Sequence, residues 1–252
     1  MRRMNVRLGI LEPMRISSGP AALARPAAVI CDMDGLLVDS ERMERRVWQR
    51  VARELAIELS DERFATFVGH SGDHNDALLR HYFGEAFDVP RFRAMCHRGF
   101  RELVESEGVA MRPGAREWLT YVTALGIPLG LATSSGPVAV QERLGDVLHL
   151  FAAVATRADV EHGKPHPDLY LEAATRLGIA PETALAVEDS PAGTQAALAA
   201  GMQVVVVPDL IAPPDDLAPR LAGVFPSLDA LRRAVTPVWD ASREDSTERL
   251  VV

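Results

Sequence analysis

The sequence predicts an α/β fold, a doubly wound parallel sheet into which an α-helical cap domain is inserted. Two observations carry this prediction. Short continuous apolar runs alternate with helical segments along most of the chain, and one helical stretch, residues 40–110, interrupts the alternation after the first run. Continuous apolar runs suit strands that are covered on both faces, and a strand–helix series favours a parallel sheet.

The apolar runs and the segments between them give the elements of the sheet. Each predicted helix has a proline in its first turn, and the second and third close near Gly178 and Gly201, as helix boundaries often do. The predicted strands are residues 27–31, 127–132, 152–156, 185–187 and 203–207. The predicted helices are residues 113–125, 167–177 and 191–200.

The helical stretch is predicted to form a cap domain over residues 40–110. Met43, Val47, Val51 and Leu55 recur at every fourth position, which is typical of one buried helix face. Ser40 is expected as a helix N-cap. The catalytic core is then residues 26–39 and 111–238, with a loose or disordered N-terminal extension at 1–25 and a loose C-terminal tail at 239–252.

Composition restricts the class of protein. Apolar residues make up 48% and charged residues 25%, as in ordinary globular domains, and the net charge of −8 argues against nucleic acid as a partner. No apolar run reaches the roughly 18 residues of a membrane span. Cys31 and Cys96 have no disulfide-framework spacing, so we expect a reducing compartment, the cytoplasm. The oligomeric state cannot be read from the sequence.

The strongest motif is Asp32-Met33-Asp34-Gly35 at the end of the first predicted strand. Ligands of open α/β sheets gather at the carboxyl ends of strands. Two carboxylates so close together need a cation, and Mg²⁺ prefers oxygen ligands of this kind. Taken alone, the motif could equally be a polar turn.

Three more polar clusters follow later predicted strands. Residues 133–136 (TSSG) could cradle a phosphate or simply cap a helix, Lys164 stands in a proline-stiffened loop, and Glu188 and Asp189 precede a helix. Each is weak alone, because capping residues and solvated lysines are common. In a parallel sheet, however, all of these strand ends meet at one edge.

The order of these clusters resembles the haloacid-dehalogenase superfamily. The closest similarity is to the subfamily with a helical cap after the first motif, which includes sugar-phosphate phosphatases, β-phosphoglucomutases and pseudouridine-5′-phosphatases. The resemblance covers about residues 27–235. The matching stretches are DMDGLLVDSER, LATSSG, HGKPHPD, VEDSPAGTQAALAAGM and VVVVPD.

The resemblance implies a Mg²⁺-dependent phosphomonoester hydrolase acting on a small organic phosphate. Asp32 would be the nucleophile that forms an aspartyl-phosphate, and Asp34 would protonate the leaving oxygen and then deprotonate the attacking water. The implied metal ligands are Asp32, Asp34 through its backbone carbonyl, Asp189 and Glu188, the last directly or through water. The implied phosphate-binding residues are Thr133, Ser134 and Lys164.

The cap is expected to choose the leaving group of the substrate. Glu41 lies just past the hinge, and His70 or Asn75 matches a cap loop that contacts substrate in relatives. These three residues are the expected cap contacts. The expected partner is one small phosphorylated molecule, a sugar phosphate or a nucleotide-like compound such as pseudouridine monophosphate.

The same motifs bear on other reaction classes. A phosphomutase is the main alternative that the resemblance implies. However, this sequence has Gly72 and Glu44 at the positions that look like those of a cap Arg and a His in β-phosphoglucomutases, which favours hydrolysis. Dehalogenases use no Mg²⁺ and lack the second aspartate of the first motif. A non-catalytic domain is disfavoured because every core residue is present.

Overall fold

The structure, a computed structural model, describes residues 23–67, 72–209 and 215–248. Its centre is a six-stranded sheet in the order β3-β2-β1-β4-β5-β6, with parallel pairing throughout. The predicted fold class is confirmed. The strands are β1 Ala28–Cys31, β2 Leu129–Ala132, β3 Ala153–Ala155, β4 Ala184–Glu188, β5 Gln203–Val206 and β6 Gly223–Val224.

The first five strands match the predicted apolar runs, whereas β6 was missed. It is only two residues long, too short to show a pattern. Cys31 pairs in register with Leu131 of β2 and with Val187 of β4. The carboxyl ends of the three central strands are therefore level, and the residues that follow them meet at one edge of the sheet.

Helices cover both faces of the sheet. The side chains of Val29 and Cys31 pack towards α5 and α9 in one apolar cluster, which contains Trp118, while Ile30 packs towards α7 and α8 in another, which contains Tyr170. This alternation is the period of two expected of a strand buried on both sides. The helices are α1 Ser40–Glu54, α2 Asp61–Ala65, α3 Gly72–Phe83, α4 Val89–Glu107, α5 Ala115–Ala124, α6 Pro137–Leu144, α7 Asp168–Leu177, α8 Pro191–Ala199 and α9 Leu228–Glu248.

Helices α1–α4 form the predicted helical insertion between β1 and β2. They share an apolar cluster of their own, in which Val47 and Val51 of the predicted stripe pack with Phe92. The insertion leaves and rejoins the sheet through paired linkers, since Asp39 N–H donates to the Ala110 carbonyl at 2.9 Å. The exact domain bounds, residues 40–110 for the cap and 26–39 with 111–238 for the core, stay a prediction.

The predicted loose ends are wrong where the structure describes them. Helix α9 continues to Glu248, and Trp239 is fully buried, with its indole N–H donating to the Leu23 carbonyl at 2.9 Å. The physical reason is a stripe of Leu231, Val235 and Trp239 at every fourth position, which the polar residues beyond it concealed. Residues 1–22 and 249–252 lie outside the described part of the chain. None of the helices in that part is long and apolar enough to cross a membrane.

Candidate active site

A lysine joins two acidic strand ends at the carboxyl edge of the sheet. Lys164 Nζ lies 2.5 Å from Asp32 Oδ1, which follows β1, and 2.5 Å from Glu188 Oε1, at the end of β4. All three side chains are buried. Burial favours the neutral amine, but the two carboxylates outweigh it and raise the pKa of Lys164. The ammonium therefore stays charged between them.

Of the two carboxylates, Asp32 is the one whose ionised form is disfavoured. Burial raises the pKa of Asp32 to about 7, Lys164 opposes that rise, and the neighbouring Glu188 and Asp34 add to it. A further positive charge near Asp32 would lower its pKa and keep it ionised at neutral pH. An ionised carboxylate is the form required of a nucleophile.

Glu188, in contrast, is fully supplied with hydrogen-bond donors. Oε1 accepts from Lys164 and from the Tyr170 hydroxyl at 2.6 Å, and Oε2 accepts from Ser190 Oγ at 3.1 Å and from the backbone N–H groups of Asp189 and Ser190 at 3.1 and 3.2 Å. Burial alone would raise the pKa of Glu188, but Lys164 and these hydrogen bonds lower it. A Cβ on Gly193 would overlap this carboxylate. Since both oxygens are occupied, water-mediated contact with a metal is favoured over direct contact.

Asp189 has one carboxylate oxygen that lacks a hydrogen-bond partner among the described residues. Its Oδ1 is buried and has no hydrogen-bond partner among the described residues. Its Oδ2 packs against Gly35, where a Cβ would overlap it and where the φ of +84° suits glycine. Burial, and then the charges of Asp32, Glu188 and Glu41, raise the pKa of Asp189 well above its usual range. An orphaned carboxylate of this kind calls for a cation.

The acidic cluster fits a divalent ion. Asp32, Glu188 and Asp189 can each place one oxygen so that all three lie within 4.8 Å of one another. With Lys164 as the only cation among these four groups, full ionisation leaves a net charge of −2. Oxygen ligands and this charge suit a hard dication such as Mg²⁺.

Asp34 is held on the other side of the same loop. Ser40 Oγ donates to Asp34 Oδ1 at 2.7 Å, Ser135 Oγ donates to Oδ2 at 2.7 Å, and Arg143 also donates to Oδ1. Ser40 is thus not the expected N-cap, since Asp39 occupies that position. The sequence marked Ser135 only as part of the 133–136 stretch and did not mark Arg143, because the contacts of both residues with Asp34 join distant segments.

The predicted phosphate-binding residues after β2 lie at this edge too. Thr133 is fully buried, and its Oγ1 accepts from the Ser135 backbone N–H at 3.0 Å, which leaves the hydroxyl hydrogen free to donate elsewhere. Ser134, next to it, is exposed. A buried donor beside an exposed serine is compatible with an anionic group entering from solvent.

Two acidic residues of α1 face the cluster from the helical insertion. Burial, then Glu44, Asp34 and other site carboxylates, raise the pKa of Glu41 to about 8. Burial and Asp34 raise the pKa of Glu44 to about 7, with Arg143 opposing. The predicted contact Glu41 is therefore near the core carboxylates. Glu44 is an additional residue near Asp34, although its position in the sequence indicated only a difference from the mutases.

Of the other two predicted cap contacts, the structure describes Asn75 only. Asn75 Nδ2 donates to the Phe67 carbonyl at 3.0 Å within the helical insertion. His70 lies outside the described residues. No contact of Asn75 with the core carboxylates occurs in the part of the chain that the structure describes, so its substrate contact stays a prediction.

Comparison with known proteins identifies the family. The family model of haloacid dehalogenase-like hydrolases matches residues 29–207, which are most of the chain and include Asp32, Asp34, Lys164, Glu188 and Asp189. The chain belongs to the haloacid dehalogenase-like hydrolase family. The family predicted from the motifs is confirmed.

Named relatives cover a similar part of the chain. Hexitol phosphatase A of Escherichia coli (strain K12) is 37% identical over 180 residues, which are 70% of this chain and 80% of the relative. A Drosophila melanogaster protein named "Probable pseudouridine-5'-phosphatase" is 34% identical over 192 residues, 71% of this chain and 80% of the relative. The solved structure of a hydrolase of this family from Deinococcus radiodurans R1, with bound phosphate and sodium, is 32% identical with a TM-score of 0.70, covering 86% of this chain and 97% of that one.

Proposed function

We propose that this protein is a Mg²⁺-dependent phosphatase that hydrolyses a small organic phosphate through an aspartyl-phosphate on Asp32. The observation that carries the proposal is the buried Asp32–Lys164–Glu188 chain beside Asp189, whose Oδ1 has no hydrogen-bond partner among the described residues. It combines a nucleophile, a fixed cation and an oxygen-rich place for a metal. The phosphatase names of the relatives support the reaction class.

The metal would be held by the carboxylates of Asp32 and Asp189, the backbone carbonyl of Asp34 and, through water, Glu188. When bound, a divalent cation offsets the negative charge of these groups and of the phosphate. Gly35 gives Asp189 the room to face this position, since any larger residue would displace the carboxylate.

The reaction proceeds in two displacements. Asp32 attacks phosphorus, so that an Asp32 O–P bond forms while the ester O–P bond breaks and Asp34 protonates the leaving oxygen. Water then attacks the same phosphorus, Asp34 takes its proton, and the Asp32 O–P bond breaks to release inorganic phosphate. Lys164, Thr133 and the Ser134 N–H would neutralise and orient the phosphoryl oxygens, as positioning and charge neutralisation dominate such transfers.

The acidic face of α1 supports a leaving group rich in hydroxyls. Glu41 and Glu44 offer oxygen atoms that can hydrogen-bond to hydroxyl groups, and neither supplies a positive charge that would bind a second anionic group. A sugar or sugar-alcohol phosphate is the substrate class we favour, in line with the similarity to a hexitol phosphatase. Pseudouridine monophosphate is the competing substrate, in line with the insect relative.

A phosphate-release screen tests the reaction and the substrate class together. Sugar phosphates, pseudouridine monophosphate, other nucleotides and phosphoglycolate are compared with and without Mg²⁺, after removal of metal with EDTA. We expect the highest kcat/KM on a sugar phosphate and no turnover with EDTA. Equal turnover with and without Mg²⁺ would contradict the metal assignment.

The covalent step has its own test. Asp32→Asn should abolish phosphate release and the mass increase of a phosphorylated protein after acid quench, whereas Asp216→Asn, at an exposed position away from the site, should retain both. Undiminished activity of Asp32→Asn would overturn the proposal.

The phosphomutase alternative is separated by the fate of the phosphoryl group. A mutase returns it to sugar and requires a bisphosphate activator, while a phosphatase yields one inorganic phosphate for each substrate consumed. We expect stoichiometric phosphate release that added hexose bisphosphate does not accelerate.

The proposal includes a single small-molecule partner, no nucleic acid, and the reducing environment of the cytoplasm. Cys31 and Cys96 are both buried and unpaired by disulfides, which supports such an environment.

A further inference from the structure

Arg143 on α6 is a largely buried cation at the site that the proposed reaction does not use. Its side chain is only 10% exposed. It forms an ion pair with Asp34, the proposed acid and base, and lies against the helical insertion on its other side. A largely buried arginine that contacts both the core and the helical insertion is a candidate for a role in the reaction.

The contacts of Arg143 fix the hydrogen bonds around Asp34. Its Nη1 donates to Asp34 Oδ1 and also to Ser135 Oγ at 3.2 Å. A guanidinium has no acceptor, so Ser135 must receive this bond on its oxygen and point its hydrogen elsewhere. That hydrogen goes to Asp34 Oδ2 at 2.7 Å. Arg143 thus orients the hydroxyl as well as the carboxylate.

The two oxygens of Asp34 are consequently unlike. Oδ1 accepts from Arg143 and Ser40, and the guanidinium can never accept a proton in return. Oδ2 faces, among the described residues, only the Ser135 hydroxyl, which can rotate and accept. The proton that Asp34 must carry as an acid therefore belongs on Oδ2.

The other side of the guanidinium rests on the helical insertion. Its carbon lies 4.6 Å from the centre of the Phe100 ring on α4, a cation–π distance. Its Nε is buried with no hydrogen-bond partner among the described residues, so packing on this ring, rather than a further hydrogen bond, sets the plane of the group on that side. The orientation of Asp34 therefore depends on the position of α4, through Phe100 and Arg143.

We propose that Arg143 is a positioning residue that, supported by Phe100, holds Asp34 so that Oδ2 delivers the proton to the leaving oxygen. This inference rests on the proposed function, because it needs Asp34 to act as the acid. A small misplacement of a reacting group can cost about 100-fold in rate, and a positioned acid contributes about 10²–10⁴-fold.

The test compares two leaving groups that differ in their need for a proton. An alkyl phosphate, glucitol 6-phosphate or the sugar phosphate that the screen selects, expels a basic alkoxide that needs an acid, whereas p-nitrophenyl phosphate expels a stable anion that does not. The measured quantity is kcat/KM, because it reports the first displacement and not the later attack of water. A merely structural defect lowers both values alike.

Arg143→Met should lower kcat/KM for the alkyl phosphate about 30-fold, within the range of a displaced acid, and change that for the aryl phosphate less than about threefold. Arg143→Lys, which can still donate to Asp34, should recover part of the loss. Phe100→Leu should show the same split at a smaller size, about three- to tenfold, because it only releases the ring contact. Arg116→Met, which removes an exposed arginine of α5, is the matched control and should change neither value.

Asp34→Asn separates failure of this inference from failure of the proposed function. We expect it to show the largest split of all. If Asp34→Asn lowers both substrates equally, the acid assigned in the proposed function is wrong. If it shows the split and Arg143→Met does not, the positioning role of Arg143 is overturned, and if only Phe100→Leu lacks the split, the link to α4 is overturned.

Discussion

Replacing Asp32 by asparagine should stabilise the metal-free protein at alkaline pH. Asp32 is buried with two other carboxylates and one lysine, and burial raises the pKa of Asp32 to about 7. An ordinary aspartate, as in the unfolded chain, has a pKa of 3.8. Ionising Asp32 in the folded state is therefore unfavourable, and asparagine removes that cost while keeping the shape of the side chain.

The size of the effect follows from linkage. The folded protein holds a proton on Asp32 more tightly than the unfolded chain does, so the contribution of this group to stability is present below pH 4 and is lost as pH rises to about 7. Each pKa unit corresponds to about 1.4 kcal/mol, which gives about 4 kcal/mol of lost stability at pH 8. The pKa of about 7 already includes the attraction of Lys164, and asparagine resembles the neutral acid, so the expected net gain is the same, about 4 kcal/mol at pH 8.

Urea unfolding in EDTA between pH 5 and 8.5 measures this difference. The free energy of unfolding of wild type should fall relative to Asp32→Asn as pH rises towards 7, and saturating Mg²⁺ should stabilise wild type more than the variant. Asp216→Asn, an exposed carboxylate, should follow wild type at every pH. If Asp32→Asn in EDTA at pH 8 is less stable than wild type, the electrostatic account of the site is refuted.

Three further substitutions test other parts of the structure. Gly35→Ala should lower kcat/KM at least 100-fold and unfolding free energy by about 1–3 kcal/mol, because φ is +84° and the new Cβ overlaps Asp189; an active variant with unaltered Mg²⁺ dependence in phosphate release would contradict this. Tyr170→Phe removes a buried donor from Glu188, so stability measured in urea should fall by about 1–3 kcal/mol and the pKa of Glu188 should rise, moving Mg²⁺-dependent stabilisation to higher pH. Trp239→Ala should cost about 3–5 kcal/mol in urea unfolding, whereas a loose tail would predict no change.

The first five strands of the sheet could be predicted because each is a short apolar run in the local sequence. Runs such as residues 203–207 are continuously apolar, and the structure places β5 at Gln203–Val206. The end of the chain could not be read in the same way, since the apolar stripe that ends in Trp239 is followed by polar residues that also suit a tail. Helix α9 is stabilised by packing on the sheet and on Leu23, a contact across most of the chain.

The site divides along the same line. Asp32 directly follows β1, Glu188 ends β4 and Lys164 lies in the loop after β3. Knowing that the strands are parallel is therefore enough to bring these residues to one edge of the sheet. Ser135 was marked only as part of a possible phosphate cradle, not as a partner of Asp34, and nothing in the local sequence marks Arg143. In the sequence Arg143 is one charged residue of a helical segment. Only folding brings it against Asp34, which is more than a hundred positions away along the chain.

A single loop joins Asp32, the proposed nucleophile, with Asp34, the proposed acid, and with the helical insertion. After Asp32 the chain reverses at Gly35, whose N–H donates to the Val38 carbonyl at 2.9 Å, and Val38 N–H returns to the Met33 carbonyl at 3.1 Å. Met33 and Val38 are fully buried, which anchors the loop in the core.

The two ends of that loop are held differently. Asp32 is fixed by Lys164 from within the sheet, whereas Asp34 is held by Ser40, the first residue of α1, and by Arg143, which rests on α4. A displacement of the helical insertion would therefore act on Asp34, the proposed acid, more directly than on Asp32, the proposed nucleophile. A substrate that draws the insertion onto the core would thereby align Asp34 as the leaving group becomes enclosed. Water that enters an open site would meet an Asp34 that is not yet aligned to take its proton.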